Sequence, residues 1–134
     1  MRSIEPYFRN SRPICKIIWE SYYKDSFSAL LARILPDKGT VSGIYKITNL
    51  TNEKVYIGQS VNLAERLRTH VKAGIGIDPP GLKLYQDMKK IGVENFSFEI
   101  LEKCPQTELN AKERYWIDFY HSQDFGYNMT KGGS

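Results

Sequence analysis

The sequence predicts a small α+β domain: a three-stranded mixed or antiparallel sheet flanked by helices, preceded by a helical N-terminal extension. Three observations carry that prediction. Two β-type runs bracket a polar turn in the middle of the chain, amphipathic helical stretches follow them, and a third alternating run precedes a last helical stretch. Past residue 40 the order is β-β-α-α-β-α, which suits one sheet with helices packed on it. A chain of 134 residues is long enough for one compact domain with a real core, and 41% hydrophobic residues is ordinary globular composition.

The extension comes first. Pro36-Asp37-Lys38-Gly39 is the clear break in the chain, so residues 1–39 are separated from a domain over 40–134. Within the extension, Ile14, Ile17 and Ile18, then Phe27, Leu30, Leu31 and Ile34, suit two short amphipathic helices, the second starting near Ser26. Residues 1–39 hold seven Lys and Arg against four Asp and Glu, whereas residues 40–134 hold twelve against eleven. The net charge of +4 is mild, and its excess sits in the first third, where it would suit phosphates or simply keep the segment soluble.

In the main domain, Val41–Thr48 and Lys54–Gly58 read as strands around the turn Asn49-Leu50-Thr51-Asn52-Glu53. Alternation puts Tyr45 with Ile47 on one face of the first strand, and Tyr56 with Gly58 on one face of the second. A helix follows, with Asn62 as N-cap, Glu65 completing a capping box, a Leu63/Leu67/Val71 stripe and Gly74 as stop. Asp78-Pro79-Pro80-Gly81 is a loop, and Leu84, Met88 and Ile91 form a second helical stripe ended by Gly92. Asn95–Leu101 alternates as the third strand, with Phe96, Phe98 and Ile100 facing one way. Phe125-Gly126-Tyr127-Asn128 reads as irregular or extended.

The last helix holds the first candidate for chemistry. Over Thr107–His121, Leu109, Trp116, Ile117 and Tyr120 fall within a narrow arc, and Glu113 falls in its middle. A carboxylate in the centre of a core stripe costs several kcal/mol or so unless a cation, a shifted pKa or a metal compensates it. Arg66 and His70, four apart, share a helix face. The first offers a planar fork for phosphate oxygens and the second a titratable ring. Tyr45 and Tyr56 lie on neighbouring strands, and Gly58 lets another group approach closely.

Other classes find no support. The chain has no Ser-His-Asp arrangement, no Walker-type loop and no dinucleotide fingerprint. No apolar run approaches the ~20 residues of a membrane span, and the start MRSIEPYFRNSRP has no apolar signal core, so the chain is expected to stay in the cytoplasm. Cys15 and Cys104 have no metal-type spacing and are expected to be reduced thiols. One carboxylate, an arginine, two phenols and an imidazole suit metal-assisted hydrolysis of a phosphodiester, with Mg²⁺ or Mn²⁺ as the single ion.

At this point the chain resembles a known family. Gly43-Ile44-Tyr45 and Tyr56-Ile57-Gly58 are the two tripeptides that name the GIY-YIG nucleases. The likeness runs on through Arg66 and His70, Glu113 three residues before Trp116, and Gly126-Tyr127-Asn128, covering roughly residues 40–133. The resemblance implies a site on the concave sheet face, with Glu113 holding one divalent metal and Tyr45 as general base for the attacking water. Tyr56 and His70 would support it, Arg66 would stabilise the phosphorane, and Asn128 would orient the site. Gly43, Gly58, Arg68 and Lys72 would bind substrate. The implied partner is DNA, in a bacterial or phage-infected cell. Some homing-type members carry a second histidine in the loop before the next helix. Residues 78–81 have none, which leaves more of the proton handling to Tyr45 or to a metal-bound hydroxide.

Three readings follow: a metal-dependent DNA endonuclease, an inactive nucleic-acid binding module on the same fold, and a protein-interaction domain with a buried Glu113–Arg66 ion pair. Oligomeric state stays open, with the N-terminal extension as a candidate homodimer surface.

Overall fold

The computed structural model describes residues 23–37, 39–76 and 81–133. The expected helix around Ile14, the thiol of Cys15 and most of the 78–81 loop lie outside the described residues.

Eight elements follow in chain order: α1 (Lys24–Ile34), β1 (Gly43–Asn49), β2 (Val55–Ser60), α2 (Leu63–Gly74), α3 (Lys83–Ile91), β3 (Phe96–Lys103), α4 (Leu109–Tyr120) and α5 (Ser122–Phe125). They group into two compact units. One holds α1 together with Leu67–Asn95; the other holds Asp37–Arg66 together with Phe96–Ser134. Helix α2 starts in the second and continues into the first. Among the described residues no helix is long and apolar enough to cross a membrane.

The sheet unit is organised around β1, the central strand of the order β2-β1-β3, and both of its pairings are antiparallel. Tyr45 stands opposite Gly58 and Ile47 opposite Tyr56, so the expected sharing of a face holds. The turn works through Asn49: its Oδ1 accepts from the Thr51 N–H at 2.9 Å and the Thr51 hydroxyl at 2.7 Å. Its buried Nδ2 donates to Tyr127 Oη at 2.9 Å. The β1–β3 register slips between Ile44 and Tyr45, with Ile44 opposite Glu102 and Tyr45 opposite Ile100. Such a bulge puts an extra residue on β3. Leu101 packs on the core beside Ile44, and Glu102 bonds Trp116 and Lys112.

The core of this unit lies between the Ile44/Ile57 face of the sheet and α4, and consists of Ile44, Ile57, Cys104, Leu109 and Ile117. Each fully buried Leu or Ile contributes roughly 1.5–3 kcal/mol. On the opposite face Tyr45 and Ile47 are buried too. Helix α2 opens with Asn62 Oδ1 accepting from the Glu65 N–H at 3.2 Å. Only that half of the expected capping box forms, because Ser60 Oγ takes the Asn62 N–H at 3.0 Å.

In the other unit, α1 begins at Lys24, two residues before the expected start, and buries Phe27 and Leu31. Helix α3 buries Leu84, Tyr85 and Met88 and ends at Gly92. Two expectations need correction. Phe125 belongs to the short helix α5, not to an irregular segment. Of the stripe on α4 only Leu109 and Ile117 are buried, while Trp116, Tyr120 and Glu113 are partly exposed. Glu113 was expected at the deepest point. It faces the end of the edge strand β2, where Gln59 follows the last apolar residue of that face.

Candidate active site

The two tyrosines are built by strand pairing. Tyr45 is fully buried, and its ring lies across β2 so closely that a side chain at Gly58 would put Cβ 2.2 Å from the Tyr45 hydroxyl. Gly58 therefore accommodates Tyr45 itself. The Tyr45 and Tyr56 rings are 6.3 Å apart between centroids, tilted by 43°, and their hydroxyls are hydrogen-bonded. Tyr56 is the partly exposed member of the pair. Burial, and then the Glu113 carboxylate, push its phenol above the usual tyrosine range, against the opposing pull of Arg66 and the Tyr45 hydrogen bond. Tyr56 therefore stays protonated at neutral pH and can donate a hydrogen bond.

Arg66 and Glu113 meet through a residue that the sequence reading did not single out. Gln59 donates through Nε2 to Glu113 Oε1 at 3.1 Å and to Asn110 Oδ1 at 2.8 Å, and its main-chain carbonyl accepts from Arg66 Nη1 at 3.3 Å. The signal was available: alternation along β2 puts Gln59 on the face of Val55 and Ile57, toward α4. Glu113 Oε1 accepts a second hydrogen bond from the Gly133 N–H at 2.8 Å. Arg66 is exposed and, among the described residues, forms no ion pair with Glu113. That removes the basis of the interaction-domain reading. Tyr56 and Gln59 lie on opposite faces of β2, so these groups gather around the sheet's edge strand and not on one sheet face.

Asn128 has a different place. Its side-chain amide bonds the backbone of Ile57 twice, Oδ1 accepting from Ile57 N–H and Nδ2 donating to Ile57 C=O, both at 2.8 Å. It completes the outer edge of β2 as a strand would, and so fixes the segment carrying Tyr56, Gly58 and Gln59. Gly43 is buried at the start of β1, where a Cβ would fall 2.2 Å from the Glu102 carbonyl oxygen, so close strand pairing requires it. His70, Arg68 and Lys72 belong to the other unit. His70 is buried there, with Nδ1 at 2.7 Å from the Tyr85 hydroxyl, while Arg68 and Lys72 are partly exposed.

Among the described residues no three His, Cys, Asp or Glu side chains cluster to cage a metal. The available donor is one carboxylate whose second oxygen, Oε2, takes no hydrogen bond among the described residues. That fits a hard ion which keeps most of its waters and uses one or two carboxylates plus substrate oxygens.

Comparison with known proteins agrees with this geometry. The GIY-YIG catalytic domain matches residues 41–128. Intron-associated endonuclease 1 of Enterobacteria phage T4 is 33% identical over 91 residues, 66% of this chain and 37% of that relative, so the chain spans little over a third of its length. The solved catalytic domain of the homing endonuclease I-TevI superposes with a TM-score of 0.60 at 32% identity, covering 66% of this chain and 98% of that one. A glutamate-to-alanine mutant of the catalytic domain of intron endonuclease I-TevI gives 0.62 at 31% identity, covering 69% and 96%. With two tripeptides on paired strands of a three-stranded antiparallel sheet, the chain belongs to the GIY-YIG catalytic domain family.

Proposed function

We propose that the chain is the catalytic part of a divalent-metal-dependent DNA endonuclease of the phage or mobile-element kind, hydrolysing phosphodiester bonds at a one-ion site. The observation that carries the reading is the gathering of Tyr45, Tyr56, Arg66 and Glu113 around β2, the two phenols hydrogen-bonded to each other and Gln59 linking Arg66 to Glu113, in a chain of this family. The names of the relatives, an intron-associated and a homing endonuclease, support the same class.

Glu113 would hold Mg²⁺ or Mn²⁺, and the ion would supply Lewis-acid polarisation of the scissile phosphate. Arg66 anchors one end of its guanidinium on the Gln59 carbonyl and keeps the rest of the fork for a phosphate oxygen. There it would neutralise charge that grows as the nucleophile adds. Tyr45 and Tyr56 form the proton-handling pair. Tyr56 is only partly exposed and stays protonated, so it would orient an incoming water, while the fully buried Tyr45 would support it from inside the sheet. Arg68 and Lys72 are assigned to the flanking phosphates. Asn128 is assigned a positioning role, since both polar ends of its side chain are engaged by β2.

The test is plasmid nicking with Mg²⁺ or Mn²⁺. Wild-type protein should nick, and Glu113→Ala should bind DNA but not cut. Arg66→Ala should cost at least ~3 kcal/mol of transition-state stabilisation. Cleavage that persists in excess chelator would remove the metal from the mechanism. Binding without cleavage by the wild type would leave the inactive-module reading standing. A Tyr45→Phe variant with the wild-type pH–rate profile would exclude Tyr45 from proton transfer.

A further inference from the structure

Glu113 Oε1 is held from two sides, by Gln59 Nε2 at 3.1 Å from β2 and by the Gly133 N–H at 2.8 Å. Both donors sit on the same oxygen. Oε2 is then the oxygen open to a cation, since it accepts no hydrogen bond among the described residues. The Gly133 arm is itself built. Its φ of +68° is left-handed, a Cβ there would lie 2.3 Å from Arg114 Nη1, and its carbonyl accepts from that same nitrogen at 2.9 Å. Gln59 in addition carries Arg66 on its main-chain carbonyl. One residue therefore links the anion suited to a metal with the cation suited to the phosphate.

We propose that Gln59 is a positioning residue which, with the Gly133 N–H, presents Glu113 to the metal through Oε2 alone and sets the spacing between Glu113 and Arg66. The inference rests on the metal-dependent reading above. Hydrogen-bond partners of a metal ligand fix its orientation, and losing one typically weakens metal binding 10–100-fold. The competing explanation is that Gln59 only braces β2 against α4 through Asn110.

The experiment is a Mn²⁺ titration of the full chain with a duplex oligonucleotide bound. It is read from the free-ion electron paramagnetic resonance signal, with the melting temperature measured alongside. Gln59→Met keeps side-chain length and the main-chain carbonyl but removes the amide donor. Its Mn²⁺ dissociation constant should rise at least about tenfold while duplex affinity stays within about twofold. Asn110→Ala removes the brace and leaves the Gln59 amide facing Glu113, so it should lower the melting temperature without weakening Mn²⁺ binding. Replacing Gly133 by glycolic acid, so that an ester stands where its amide was, removes the second donor without adding a Cβ or changing φ, and should also weaken Mn²⁺ binding, which keeps the inference testable if Gln59→Met does not fold. Wild-type Mn²⁺ affinity in both the Gln59 and Gly133 variants would overturn the inference and leave the nuclease reading intact. A wild-type protein that binds no Mn²⁺ beside the duplex would overturn both.

Discussion

Gly58 and Tyr45 form a matched pair across two strands, and the match sets what either position tolerates. A methyl group at Gly58 meets the phenol ring and its hydroxyl. Gly58→Ala should therefore cost about 1–3 kcal/mol by overpacking, seen in thermal or urea unfolding. It should also lower cleavage by displacing the hydroxyl that bonds Tyr56. Tyr56 gives a second prediction at this scale. An unfolded phenol titrates near pH 10, and the native one later, because burial and Glu113 disfavour its anion. Between those two values the native state retains a proton that the unfolded state has lost, so stability falls as pH rises through that window. The contribution is fully present below about pH 10. Phenolate absorbance should show a late-titrating component that is lost in Tyr56→Phe.

Among the elements, β2 is the one most in need of support, because it is an edge strand and carries Tyr56, Gly58 and Gln59. Asn128→Ala would leave the Ile57 N–H and C=O without partners, and should cost about 2 kcal/mol in chemical denaturation. It should depress cleavage more than DNA binding. These contacts also mark where the sequence stops being legible. Periodicity located β1, β2, α2, α3 and β3 because each is amphipathic over its own length. It also put Tyr45 with Ile47, and Tyr56 with Gly58, on one face of each strand, and the strand register brings those faces together. It could not show that Asn128 bonds Ile57, 71 residues away, or that Gln59 links Arg66 to Glu113, since no local pattern encodes a long-range amide contact. Glu113 was found by its place in a stripe, but a stripe gives direction without depth. The end of β2 offers it Gln59 where a buried position would offer apolar side chains. His70 was grouped with Arg66 by helical spacing, and its hydrogen bond to Tyr85 depends on α3, which spacing on α2 cannot foresee.

For the whole molecule, the mild net charge of +4 makes phosphate contact a matter of particular side chains and not of bulk potential. DNA affinity should fall linearly on a log–log plot against salt. Arg68→Ala and Lys72→Ala should each reduce that slope by about 0.9 if each meets one phosphate. Deleting residues 1–38 without changing the slope would show that the extension touches none. The double hold of Asn128 on Ile57, with the Tyr127 N–H donating to the Val55 carbonyl at 2.9 Å, matters on this scale too. An uncapped sheet margin is a template on which another chain can add its own strand. Here the Val55 carbonyl and both backbone groups of Ile57 are already occupied from within the chain. Self-association by strand addition is thereby blocked along the middle of the strand that bears the cluster.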